Sequence, residues 1–325
     1  MTKEDLRIVF MGTPEFAVET LDALLKNNYN VVAVVTQPDK PVGRHGSVLQ
    51  PSAVKQYALE HGLPVLQPVK MKDEAFVEEL RSYNANLQVV VAFRMLPEVV
   101  WAMPEYGTFN VHAALLPQYR GAAPINWAII NGETRTGVTT FFLDHDIDTG
   151  RIIMQEPFDI ADDYNVENVY DGLMRLGADV CLKTIALIVD ENGRPKTLAQ
   201  EEVNEGQELK AAPKIFKETC RIDWSRTAKQ NYDFVRGLSP VPGSWTVLVA
   251  PTGKETVLKV YAAKKTDKGC EAKPGTIVVE GKRLLVACGD SKALELVEVQ
   301  LAGKKRMAAD AFLNGIKDLA DHRLE

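Results

Sequence analysis

The chain has 325 residues, 46% of them hydrophobic and 25% charged, with a formal net charge of −6. That length exceeds one typical core and predicts two domains, while no apolar run reaches the roughly 20 residues needed to span a bilayer. The four scattered cysteines (Cys181, Cys220, Cys270, Cys288) and five histidines show no metal-ligand or redox spacing, which argues for a reduced, metal-free, cytoplasmic protein.

The opening residues MTKEDLRIVFMG lack signal-peptide layout and read as a strand, Leu6–Met11, stopped by Gly12. Pro14 then stands where a helix can begin, and an amphipathic pattern runs through Phe16, Val18, Leu21, Leu24 and Leu25. Further strands are expected at 31–35, 87–92, 107–111 and 138–143, and helices at 52–61, 73–82, 123–131 and 166–189. Continuous β-branched runs separated by helices predict an α/β fold with a doubly wound, mostly parallel sheet covered on both faces. Such sheets bind ligands at the carboxyl ends of their strands.

Residues 191–210 (ENGRPKTLAQEEVNEGQELK) are polar and carry Gly and Pro, so they are read as a linker between a catalytic domain at 1–190 and a second domain at 211–325. In the second domain a helix is expected near 225–238, followed by short strand-like segments at 245–250, 257–262, 275–279, 283–287 and 293–300. Short strands at this spacing predict a small β-barrel. Charge divides along the same line. Residues 1–206 hold 17 Lys and Arg against 29 Asp and Glu, whereas residues 207–325 hold 21 against 15. A basic module joined to an acidic one is what a polyanion-binding half requires, and also what ordinary variation in surface charge produces.

The first strand–helix turn, Met11-Gly-Thr-Pro-Glu-Phe16, has one glycine where a dinucleotide fingerprint needs three. Pro14 and Glu15 fill and charge the place of a pyrophosphate, which argues against nicotinamide and flavin chemistry. Asn110 and His112 carry a better signal. Two apart in a strand, they share a face at its carboxyl end, and both side chains can donate to an oxyanion. Downstream, Leu143-Asp-His-Asp-Ile-Asp-Thr-Gly150 brings a carboxylate that could pair with His112. An Asn, a His and an Asp without a Ser or Cys nucleophile suit direct acyl transfer between two bound substrates. An isolated Asn-x-His at a strand end is more often structural than catalytic.

Asn110-Val-His112, Ala114-Leu-Leu-Pro117, Arg120-Gly-Ala-Ala-Pro-Ile125 and Asp148-Thr-Gly150 together resemble the core of folate-dependent formyltransferases. Phe10–Ala17, Thr36–Arg44, Arg221–Ser225, Pro240–Trp245 and Ala302–Met307 extend the resemblance over nearly the whole chain, in family order. It implies a Rossmann-like catalytic domain followed by an OB-like barrel. It also implies 10-formyltetrahydrofolate as formyl donor, initiator methionyl-tRNA as acceptor, and Asn110, His112 and Asp148 as the catalytic set. The folate site would lie against the 91–96 segment, with Phe93, Arg94 and Leu96, and against the wall formed by Ala114, Leu115, Leu116 and Pro117. Most relatives have Ser at the position of Ala114, so this wall offers one hydroxyl fewer.

Strand-to-helix loops in doubly wound folds usually span about 2–6 residues, and the 37–51 loop is far longer. The resemblance makes it the arm that reaches the tRNA acceptor end, with Arg44 as its contact. It also makes the basic cluster Lys304, Lys305 and Arg306, together with Lys210 and Lys214, contacts for tRNA. Sugar-nucleotide N-formyltransferases share the Asn/His/Asp core and remain the rival reading. Nothing demands a partner subunit, so a monomer is expected.

Overall fold

The computed structural model describes residues 1–42, 48–204 and 206–325. The chain divides into two compact units, Met1–Gly121 with Thr136–Asp159 and Tyr170–Ala211, and Ala122–Arg135 with Ile160–Val169 and Ala212–Glu325.

In the first unit, β1 (Ile8–Gly12) is followed by α1 (Glu15–Lys26), β2 (Val31–Val35), β3 (Lys40–Val42) and β4 (Val48–Gln50). Next come α2 (Ala53–Glu60), β5 (Val65–Leu66), α3 (Glu74–Ser82), β6 (Leu87–Val91), α4 (Glu98–Trp101), β7 (Thr108–His112) and β8 (Arg120–Gly121). Past α5 (Pro124–Ile130), β9 (Arg135–Phe142) and β10 (Ile152–Asp159) complete a seven-stranded sheet of order β10-β9-β7-β6-β1-β2-β5. The pairings from β5 through β7 are parallel, and β9 runs antiparallel to β7. β1 and β6 are buried along their whole length, as apolar strands covered on both faces must be. Ser52 accepts the Lys55 N–H and Asp73 the Ala75 N–H, so α2 and α3 begin at side-chain caps. β10 was not legible in advance because Pro157 breaks its pattern; a sheet edge tolerates the missing N–H.

The 37–51 arm contains the antiparallel hairpin β3–β4. Residues 43–47, including Arg44, lie outside the described residues. Lys55 and the Gln67 amide both donate to Asp39 at the base of the arm, at 2.7–2.9 Å.

The 191–210 segment, expected as a linker, is packed on the first unit. After α6 (Val166–Asp190), Leu198 and Ile152 exchange backbone hydrogen bonds of 2.8 and 2.9 Å. In α7 (Gln200–Asn204), Gln200 is 1% exposed and Val203 packs against Leu116, Phe141 and Ile152. The polar side chain here serves buried backbone groups, which composition alone cannot distinguish from solvation. The expected boundary differs in a second way, because 122–135 and 160–169 belong to the other unit. There Ile130 and Trp127 of α5 join the core of Trp224, Phe234 and Leu238, and Asn126 donates to the Gly237 carbonyl at 2.8 Å.

After β11 (Ala211–Ala212) and α8 (Ala228–Leu238), the second unit runs through β12 (Ser244–Val249), β13 (Glu255–Gly269), β14 (Ile277–Glu280), β15 (Arg283–Ala287) and β16 (Lys292–Leu301). It ends with β17 (Met307–Ala308), α9 (Ala309–Gly315) and β18 (Arg323–Leu324). The sheet order is β14-β15-β16-β13-β12-β18, with β17 on β16. Irregular register between β13 and β16 bends the sheet. Thr276, just before β14, bridges back to Arg323 of β18, and the Leu324 N–H donates to Gly275 at 2.8 Å. The sheet therefore curls into the small OB-like barrel expected.

Candidate active site

His112 and Asn110 stand at the carboxyl end of β7, on one face. His112 is 6% exposed. Its Nε2 lies 2.9 Å from the Tyr119 carbonyl oxygen; a carbonyl only accepts, so Nε2 carries a proton. Its Nδ1 faces Asp148 Oδ2 at 3.9 Å. Asp148 also accepts the Gly121 N–H at 2.9 Å. Asn110 is half-buried, and among the described residues its amide has no hydrogen-bond partner. The three expected residues thus meet in different conditions. Both ring nitrogens of His112 face acceptors within the fold, whereas the Asn110 amide is free to donate.

Both groups that flank His112 sit in left-handed backbone, Tyr119 at φ 61° and Asp148 at φ 56°. Each such conformation costs of order 1–3 kcal/mol and persists only where the surroundings over-determine it. The surroundings are explicit. Tyr119 donates its N–H to the Lys210 carbonyl at 2.6 Å, and Lys210 donates its own N–H to Gln118 Oε1 at 2.9 Å. Gly150, two residues after Asp148, has no space for a side chain because an added Cβ would overlap the Phe142 carbonyl oxygen.

The wall at Ala114–Pro117 is held through its backbone. Thr139, fully buried, donates to the Ala114 carbonyl at 2.6 Å and accepts the Leu116 N–H at 3.0 Å. The Gln155 amide donates to the Leu116 carbonyl at 2.8 Å and to Thr139 Oγ1 at 2.9 Å. Ala114, Leu116 and Pro117 are buried and Leu115 is partly exposed. On the other side, Phe93 and Arg94 are half-buried and Leu96 is in the core. Arg94 donates to the Val69 carbonyl at 2.9 Å and to the Pro68 carbonyl, so its guanidinium is committed to bracing this loop. Burial lowers its pKa from the ordinary value. Where β1 and β2 end, Thr13, Pro14, Lys40 and Ser52 line an open cavity of about 280 Å³. The Thr13 hydroxyl is buried and lacks a partner among the described residues.

The expected basic contacts also differ from one another. Lys304 and Lys305 are exposed and, among the described residues, form no ion pair. Arg306 is paired with Glu298 at 2.6 Å and lies over the Tyr261 ring at 4.2 Å. Lys214 is exposed with its ammonium 5.5 Å from the Phe216 ring, and Lys210 contributes backbone to the Tyr119 turn. Tyr119, Thr139, Gln155 and Gln200 were not singled out from the sequence. Only for Gln200 does a local signal exist, namely a polar residue between Leu198 and Val203 in a segment otherwise read as solvated. Among the described residues no cluster of His, Cys, Asp and Glu could hold a metal, and no helix is long and apolar enough to cross a membrane.

A doubly wound sheet that sets Asn110 and a His–Asp pair at one strand end, followed by a small barrel, is an architecture compatible with acyl transfer between two bound substrates. Residues 6–185 match the formyl transferase family and residues 214–317 the formyl transferase C-terminal domain; the chain belongs to this family. It is 59% identical over 323 residues to the methionyl-tRNA formyltransferase of Parabacteroides distasonis, with 99% of each chain covered. With that of Bacteroides fragilis it shares 56% over 315 residues, covering 97% of this chain and 96% of the other. Among solved structures, an N-formyltransferase from Helicobacter canadensis in complex with folinic acid and dTDP-3-aminofucose superposes with a TM-score of 0.62 at 19% identity, covering 91% of this chain and 99% of the other. HypX from Aquifex aeolicus, in complex with tetrahydrofolic acid, gives 0.61 at 18% identity, covering 95% of this chain and 47% of the longer protein. At these identities the two structures establish a shared fold.

Proposed function

We propose that the protein transfers the formyl group of 10-formyltetrahydrofolate to the α-amine of methionine on initiator tRNA, the formylation that precedes translation initiation, as a cytoplasmic monomer. The observation that carries this reading is the Asn110 amide, without a partner among the described residues, beside the buried His112–Asp148 pair, in a chain 59% identical to a methionyl-tRNA formyltransferase over 99% of both.

The donor supplies a formyl carbon bound to N10 of the folate. As the amine nitrogen bonds to that carbon, Asn110 donates to the carbonyl oxygen and stabilises the developing oxyanion. The His112–Asp148 pair receives the proton released by the amine, directly or through water, and a proton placed on Nδ1 faces the Asp148 carboxylate. When the carbon–N10 bond breaks, N10 departs protonated. The backbone of the 93–96 turn and the Ala114–Pro117 wall enclose the folate. The tRNA is contacted by Arg44 of the arm and by the basic residues Lys210, Lys214, Lys304, Lys305 and Arg306.

The test is incubation with 10-formyltetrahydrofolate and either initiator methionyl-tRNA or a dTDP-amino sugar. Formyl on the methionine is expected. Formyl on the sugar alone overturns the reading.

A further inference from the structure

The geometry points to Gln200 as a positioning residue for the reaction, holding Asp148 where it faces His112; this rests on the function proposed above. Gln200 is buried, and its side chain makes four polar contacts, all with the machinery around Asp148. Its Nε2 donates to the Asp148 carbonyl at 2.8 Å and to the Gly150 carbonyl at 2.9 Å. Its Oε1 accepts from Arg120 Nε at 3.0 Å and Nη2 at 2.7 Å. Two carbonyls can only accept and a guanidinium can only donate, so the amide has one possible orientation and its hydrogen-bonding capacity is used in full.

The arrangement forms a closed ring. Arg120 precedes Gly121, whose N–H donates to Asp148 Oδ2; Gln200 grips the backbone of the same aspartate and binds Arg120 in turn. Asp148 is left-handed and so relies on external contacts to keep its conformation. From the outer side, Asp144 Oδ1 accepts from the Thr149 hydroxyl at 2.7 Å and the Asp146 N–H at 3.2 Å, which shapes the loop but does not touch Asp148. Gln200 is therefore the side chain that fixes the carboxylate's backbone from within. A further link runs through the same segment, since the Lys210 carbonyl holds Tyr119, the acceptor for His112 Nε2. Displacing a reacting group by about 1 Å costs on the order of a hundredfold in rate.

Two substitutions separate positioning from packing. Gln200→Leu keeps the volume and removes all four contacts. Gln200→Glu keeps the shape and the Arg120 contact, but sets a carboxylate oxygen against the Asp148 and Gly150 carbonyls. With 10-formyltetrahydrofolate and initiator methionyl-tRNA, kcat is expected to fall about 30- to 100-fold in both, with KM for each substrate within about twofold. Combining Gln200→Leu with Asp148→Asn should add almost nothing to the loss from Asp148→Asn alone, because both act on one carboxylate. Wild-type kcat in Gln200→Glu, or multiplicative losses in the double variant, overturns the assignment. If Gln200→Leu does not fold, Gln200→Glu carries the test alone and in combination with Asp148→Asn. Wild-type turnover in Asp148→Asn would instead strike at the proposed role of Asp148, so the two failures are distinguishable.

Discussion

Replacing Asn110 should separate chemistry from folding. The Asn110 amide is half-buried and unpartnered among the described residues, so Asn110→Ala removes no hydrogen bond from the fold. A substitution that removes no hydrogen bond and only part of a half-buried side chain should cost about 1 kcal/mol or less. If the amide meets the oxyanion, the loss falls on the transition state, about 3–4 kcal/mol or a hundred- to thousandfold in kcat. His112→Ala makes the contrasting case. It removes the donor to the Tyr119 carbonyl and the imidazole that faces Asp148, and losing a hydrogen bond inside the fold costs about 1–3 kcal/mol. Single-turnover formyl transfer at saturating substrate, run alongside urea unfolding, measures both quantities. The expected pattern is a large kinetic loss with a little-changed unfolding midpoint for Asn110→Ala, and losses in both for His112→Ala. Turnover within threefold of wild type in Asn110→Ala, or an equal drop in midpoint for the two variants, would refute the reasoning.

Gly150→Ala should eliminate activity and lower the melting temperature, because its methyl group would overlap the Phe142 carbonyl and push the Asp148 loop away; unaltered melting would contradict that packing. Lys304→Ala with Lys305→Ala should weaken tRNA binding and flatten its salt dependence by roughly 0.7–0.9 per lost phosphate contact in a log–log titration. Arg306→Ala, already paired with Glu298, should change that slope less. The Lys55 ammonium and the Gln67 amide hold the Asp39 carboxyl below its ordinary value of 3.8. A depressed carboxyl pKa contributes stability that is fully present above the ordinary value and is lost as pH falls through the folded value. The difference in stability between wild type and Asp39→Asn should therefore be constant near neutrality and shrink below pH about 3.8, as read by urea unfolding across pH; a difference that persists in acid would show that the ion pair is not its source.

The sheet was legible because its signals are local. Runs such as Val31–Val35 and Leu87–Val91 are too apolar to be anything but covered strands, and strand periodicity alone set Asn110 and His112 on one face. Helix starts at Ser52 and Asp73 were equally local, each written by a side chain that can cap. Membership of the two units was not, because residues 122–135 and 160–169 join the second unit through contacts 70 to 111 positions away, as between Tyr232 and Asp162 or Asn126 and Gly237. The division of labour between Asn110 and His112 was hidden for the same reason. Their sequence makes both potential donors, and only the folded chain brings Tyr119 and Asp148 to the imidazole while leaving the amide unclaimed. Gln200 is the clearest instance. It stands in a stretch that composition marks as a linker, yet it bonds Arg120 across 80 positions and Asp148 across 52. Periodicity and capping report the environment of a residue's near neighbours. Which acceptor a buried amide will find is decided by chain closure, so the sequence by itself determined the sheet, the family and the residues proposed to react, and the tertiary structure alone decided what holds them in place.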